Sequence, residues 1–252
     1  MRTELILAAV VPALLLLIQV YRADRLEKEP PSLLLSLVLW GVLATELASL
    51  AEQGGILLLE RLIPETQSSG WSFSWGAVAA AKTRHSTLYD VLLYFGVVAV
   101  SEEGIKYLLL RFKTWRSPEF NCTFDGVVYA VFLSLGFALW ENIHYVLTYG
   151  MSTALARAVT AVPGHACFGV FMGTWYGLAK RASLRGKPGK SLALRILAFL
   201  IPTLLHGLYD FVAASRLLEM GWVFFPFVGG MFLVSYLLVK LMSRYDGYMR
   251  RS

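Results

Sequence analysis

The chain has 252 residues, of which 57% are hydrophobic and only 16% charged, with a mean hydropathy of +0.59 and a formal net charge of +6. A soluble domain is typically about 45–50% apolar and 25% charged, so this composition excludes an ordinary water-soluble globule. Several apolar runs reach about 20 residues, the length that crosses a hydrocarbon core.

The expected fold is an all-α polytopic bundle, one integral-membrane domain over 1–252. Spans are predicted at 3–21, 32–51, 87–110, 125–148, 153–179, 191–215 and 221–240. The first run, Leu5–Tyr21, has no basic stretch beyond Arg2 and no small-x-small cleavage site after it, so it reads as a span and not a signal peptide. YRADRLEKEP follows as a mixed-sign turn ended by Pro30–Pro31. The longest connection, Glu52–Ser86, holds the apolar piece Ile56–Ile63 and the sequence SSGWSFSWG. It is expected to be interfacial, and it is the candidate lid on the outer side. Asp125 opens the fourth span, where a carboxylate favours the helix dipole. Gly169, Gly173 and Gly177, four residues apart in the fifth span, predict a helix-packing seam. Cys122 and Cys167 suggest neither a disulfide framework nor a structural zinc site.

Basic residues set the expected orientation. With the N-terminus outside and the C-terminus cytoplasmic, 16 Lys and Arg fall on the inner side against six on the outer, among them Arg157. The positive charge therefore belongs to a membrane-facing bias and not to nucleic-acid binding.

Ionisable residues inside the spans are few. Each costs roughly 2.5–3.5 kcal/mol at mid-bilayer on insertion scales and marks a functional site by default. The third span carries Glu102, Glu103 and Lys106, and the fourth carries Glu141, Asn142 and His144. His165 lies in the fifth, and His206 and Asp210 lie in the sixth. Lys106 projects about 40° and 60° from the two glutamates on the helical wheel. His206 and Asp210, four apart, share one face. Counted from the outer ends, Glu141, His206, His165 and Glu102 sit roughly 12 to 22 Å deep at 1.5 Å per residue. Four antiparallel helices thus deliver polar groups to one slab in the outer half or middle of the membrane.

Such an inventory suits hydrolysis. A carboxylate or imidazole in low dielectric can activate water, and an amide can donate to an oxyanion. Alternatively, Glu103, His165, His206 and Asp210 hold a zinc ion with a position left open. The residues leave both readings open, and they also leave open a proton or cation path through the same chamber.

Four patterns lie in order on successive spans. They are E-E-x-x-K at Glu102–Lys106, F-x-x-x-E-N at Phe137–Asn142, H-x-x-x-G at His165–Gly169 and H-x-x-x-D at His206–Asp210. Together with YRADRLEKEP and FDGVVYAVFLSLGFALWENIHY, they resemble the PrsW family of intramembrane proteases over about residues 15 to 215. The resemblance implies a bacterial plasma-membrane peptidase that makes the first, outer-side cut in a membrane-anchored anti-sigma factor. It also implies distant kinship with the CAAX prenyl endopeptidases, which carry E-E-x-x-x-R, F-x-x-x-H and H-x-x-x-N/D. Here the basic position is closed up to Lys106, and Glu141–Asn142 replaces the middle histidine. The expected roles follow, within a core of about 87–216. Glu102 or Glu103 activates water and Lys106 sets their charge. His165, His206 and Asp210 complete the base or ligand set, joined by Glu141, and Asn142 stabilises the oxyanion or positions the peptide. The rival expectations are a transporter and an inactive scaffold. The sequence leaves oligomeric state open.

Overall fold

A computed structural model describes residues 2–63, 87–214 and 223–249. In lipid, backbone groups must bond internally, which leaves helices or closed barrels; this chain is helical. The elements are α1 (Arg2–Ala23), α2 (Pro31–Leu62), α3 (Thr87–Val91), a π-helical stretch (Leu92–Ala99), α4 (Val100–Thr114), α5 (Asp125–Tyr149), α6 (Met151–Val159), α7 (Ala161–Leu184), α8 (Pro188–Ala214) and α9 (Phe224–Arg244). Six helical segments among the described residues are long and apolar enough to cross a membrane. The remaining predicted span corresponds to the unbroken helical run from Thr87 to Thr114, which is interrupted in hydropathy by Glu102, Glu103 and Lys106.

Two boundaries differ from expectation. Pro31 starts α2 at its first helical position, where no donor is lost, and the helix then continues to Leu62. Glu52 and most of Ile56–Ile63 are therefore helical, not part of a connection. The rest of that connection, 64–86, with the expected lid, lies outside the described residues. The predicted fifth span is divided. Gly150 turns at φ 83°, and Thr160, at φ −122° and ψ −71°, separates the short α6 from α7. Pro163 falls in the first turn of α7, where a missing N–H costs no helical bond.

The centre of the bundle is α5, buried almost continuously from Asp125 to Ala138. Its neighbour α7 comes close because the contact is made of glycines. A Cβ on Gly173 would lie 2.5 Å from the Val127 Cα, and one on Gly126 would lie 2.6 Å from the Gly177 nitrogen. The outer surface is apolar, with Leu15, Leu35, Leu39, Phe112 and Phe225 all exposed, as lipid-facing positions require.

The π-helical stretch has a specific consequence. Its i→i+5 turns are wider than α turns, so residues after it are rephased about the helix axis. Phe95 packs against Gly207 of α8, where a Cβ would meet the ring at 2.6 Å. Downstream, the helix presents Glu102, Glu103 and Lys106 to the interior, all buried.

At one end the bundle gathers the C-termini of α1, α4, α7 and α9 with the starts of α5 and α8. Lys180 donates to the Trp115 carbonyl (2.6 Å) and Ser191 to that of Ala179 (2.8 Å). This is the basic end, which the charge bias predicts to be cytoplasmic. Here Asp125 does not cap its own helix. Its Oδ2 accepts the N–H groups of Asn121 (3.0 Å) and Cys122 (2.6 Å), fixing the turn before α5. Glu29 accepts the Tyr129 hydroxyl proton at 2.6 Å. Burial pushes the Asp24 carboxyl up to about 6 and that of Glu29 up to about 7.

Candidate hydrolytic site

Lys106 is the hub of the intramembrane polar groups. Three and four residues along one helix from the glutamates, it donates to Glu103 Oε1 at 2.8 Å and Glu102 Oε2 at 3.0 Å. Lys106 and Glu103 are both 0% exposed. A buried ammonium is tolerated when its partners are charged and every proton is used. The third contact, at 3.2 Å, is to His165 Nδ1 from α7, and the ammonium also lies 3.7 Å from the centroid of the Phe137 ring.

The two histidines have different surroundings. Because an ammonium only donates, His165 Nδ1 acts as acceptor, and its Nε2 proton faces Glu141 Oε2 at 3.0 Å. His165 thus spends its ring nitrogens on other side chains and not on the backbone near Pro163. His206 of α8 meets carboxylates on both sides, with Nδ1 3.0 Å from Glu103 Oε1 and Nε2 3.3 Å from Asp210 Oδ2. Phe168 stacks on its ring with centroids 4.6 Å apart.

The pattern at Glu141–Asn142 continues the network outward. Arg157 of α6 donates to Glu141 Oε2 at 2.7 Å and to Asn142 Oδ1 at 3.0 Å. Asn142 Nδ2 donates to the Ala9 carbonyl of α1 at 3.2 Å. With both ends of its amide engaged and no exposure, Asn142 anchors Arg157 and α1, which departs from the oxyanion or peptide-positioning role expected of it. His144 bonds the carbonyl of Trp140 within its own helix, and Cys167 packs toward α9.

The structure therefore brings Glu102, Glu103, Lys106, Glu141, Asn142, His165, His206 and Asp210 into one linked cluster from α4, α5, α7 and α8. Two residues at this cluster are not marked by the sequence. Arg157 reads there as one of the outer basic residues. Glu52, expected at the start of a connection, lies in α2, near enough to Glu102, Glu141, His206 and Asp210 for their charges to bear on it.

The donor set bears on metal binding. Glu102, His165 and His206 each offer a ligand atom, and all three atoms lie within 4.8 Å of one another. Two imidazoles and a carboxylate are ligand types that zinc accepts, but binding would take one ring nitrogen from Lys106 or Glu141 and one from Glu103 or Asp210. This trio contains Glu102 where Glu103 and Asp210 were expected. Glu103 stands beside it with a buried Oε2 that has no hydrogen-bond partner among the described residues.

Comparison with known proteins identifies the family. A family profile described as PrsW family intramembrane metalloprotease matches residues 29–239. Protease PrsW of Oceanobacillus iheyensis is 45% identical over 118 residues, 47% of this chain and 53% of that protein. Protease PrsW of Geobacillus kaustophilus is 32% identical over 213 residues, covering 84% of this chain and 81% of the relative. Protease PrsW of Bacillus subtilis is 27% identical over 226 residues, covering 89% and 88%. The chain thus spans about half of the first relative and over four fifths of the other two. No solved structure matches the chain.

Proposed function

We propose that this chain, which belongs to the PrsW family of intramembrane metalloproteases, hydrolyses a peptide bond of a membrane-anchored protein at the cluster between α4, α5, α7 and α8. The observation that carries the proposal is the unbroken chain of contacts from Asp210 through His206, Glu103, Lys106 and His165 to Glu141 and Arg157. It has the parts that water activation needs: a carboxylate with a free buried oxygen, a fixed positive charge and oriented imidazoles.

Glu103 takes the proton of the attacking water on Oε2 and passes it to the leaving amine. Lys106 and His206 hold its other oxygen in place. Glu102, His165 and His206 would hold a zinc ion, His165 giving up its Nδ1 contact with Lys106 to do so, and the ion would supply Lewis-acid polarisation of the scissile carbonyl. Glu141 and Arg157 orient His165 from behind, as the outer partners of a ligand do. The depth expected from the sequence supports a cut in the outer half of the membrane. The bacterial, multi-pass setting supports a single-span signalling substrate such as an anti-sigma factor.

The test uses full-length protein in nanodiscs loaded with zinc, wild type beside His206→Ala, with elemental analysis and a panel of single-span peptides. Loss of one zinc equivalent per chain together with loss of cleavage is expected in the variant. Unchanged zinc and unchanged cleavage would overturn the assignment.

Arg157→Gln is expected to lower kcat/KM by about 10–100-fold, the usual cost of removing an outer partner. Arg157→Lys should recover part of it, because the charge toward Glu141 returns without the second bond to Asn142. A merely structural arginine would give two equally impaired variants.

A further inference from the structure

At the basic end, away from the hydrolytic centre, a second group of acids converges from three parts of the chain. Asp24 and Glu29 come from the α1–α2 turn, Cys122 and Asp125 from the entry to α5, and Asp246 from the segment after α9. The Cys122 Sγ and one carboxylate oxygen each from Asp125 and Asp246 all lie within 4.8 Å of one another. Asp24 is 1% exposed and bears electrostatically on both Asp246 and Cys122. Glu29 and Asp125 are electrostatic neighbours.

A second observation is independent of the acid count. Asp24 Oδ2, Asp246 Oδ2, Asn121 Oδ1 and Thr123 Oγ1 are all buried with no hydrogen-bond partner among the described residues. An unsatisfied buried polar atom costs about 1–3 kcal/mol, and two of these belong to Asp246, a member of the trio, and to Thr123, next to Cys122 in the chain. Among the described residues two cations bear on these acids: Lys28, which donates to the backbone carbonyls of Tyr21 and Asp24 and acts on the Asp24 carboxylate, and Arg181, which acts on Asp246. The neighbours that weigh most on Asp125 are acids and backbone donors, and a buried acid without a basic partner is protonated or coordinates a metal.

We propose that Cys122, Asp125 and Asp246 form a second and structural site for one zinc-class divalent cation. One thiolate sulfur with carboxylate oxygens is a donor set that zinc accepts and that magnesium or calcium, which take oxygen alone, does not favour. Binding transfers the Cys122 thiol proton to solvent. The ion would clasp the C-terminal segment. That segment already lies against the α5 entry through the antiparallel bridge between Cys122 and Tyr248, the Met249 N–H donating to the Asn121 carbonyl (2.6 Å) and the Phe124 N–H donating to Asp246 Oδ1 (2.9 Å). The α1–α2 turn meets the same region through side chains, with Asn121 Nδ2 donating to Glu27 Oε2 (3.3 Å) and the Tyr129 hydroxyl to Glu29 Oε2 (2.6 Å).

The experiment takes full-length protein in nanodiscs, strips it with a chelator and reloads it with zinc or, in parallel, cobalt(II). The Cys122→Ser, Asp246→Asn double variant should hold one zinc equivalent fewer per chain than wild type, while His206→Ala keeps that equivalent. Cobalt-loaded wild type should show a thiolate-to-cobalt charge-transfer band that disappears in Cys122→Ser alone. Equal zinc in the double variant and wild type would overturn the site. So would the absence of a thiolate band in wild type, or its persistence in Cys122→Ser. The cobalt readout on wild type requires no variant to fold. Because the hydrolytic centre uses other residues, failure here leaves that assignment standing.

Discussion

On the proposed mechanism, Glu103→Gln is expected to lower kcat by about 10²–10⁴-fold, the range for a lost general base, while metal binding is unchanged. Glutamine keeps the shape of glutamate, and its amide oxygen still accepts from Lys106 and His206 as Oε1 does now, at 2.8 and 3.0 Å. What changes is Oε2, which becomes an amide nitrogen and can no longer take a proton. Glu102→Gln makes the contrast. Glu102 belongs to the trio with His165 and His206, so its loss should remove metal and activity together. Single-turnover cleavage and elemental analysis on the same preparations separate the two outcomes. A Glu103→Gln protein that cleaves at the wild-type rate would put the base elsewhere.

Lys106→Met should have the largest effect on stability. Removing one partner from a buried ion pair typically costs about 3–5 kcal/mol, because the remaining charge stays in low dielectric. Here two carboxylates lose their common ammonium and His165 Nδ1 loses its donor. At about 2–4 °C per kcal/mol for a chain of this size, the unfolding midpoint should fall by roughly 10 °C. The triple variant Lys106→Met, Glu102→Gln, Glu103→Gln carries no stranded charge from this trio and should regain much of the loss while remaining inactive. Thermal unfolding in detergent or nanodiscs measures both. A single variant as stable as wild type would mean that these charges are hydrated.

The residues legible from sequence share one property: they are charged or imidazole side chains inside long apolar runs, where the bilayer makes them conspicuous. Glu102, Glu103, Lys106, His165, His206 and Asp210 stand out for that reason. The three- and four-residue spacings then place Lys106 beside both glutamates and His206 beside Asp210, as the contacts of 2.8 to 3.3 Å show.

Arg157 and Glu52 lack that contrast. Arginine near a span end is what interfacial snorkelling and charge bias lead one to expect. Its turn inward depends on the break at Thr160, which hydropathy does not mark. Glu52 was hidden because a span was counted as about 20 residues, whereas α2 has 32. The acid group at the basic end was illegible for another reason. Asp24, Asp125 and Asp246 are separated by about a hundred residues at each step, and each sits in a stretch that reads locally as a charged turn or helix cap.

The π-helical stretch also has an evolutionary meaning. A one-codon deletion between Leu92 and Ala99 is one that the helix can absorb, because a π turn with one residue fewer is an α turn. The same deletion in the α-helical turn that follows, at Val100 or Ser101, would turn every later side chain by about 100° about the axis, carrying the acid pair away from His206. Length changes are therefore tolerated in the π-helical segment and not in the turn after it, a distinction that the motif letters do not record.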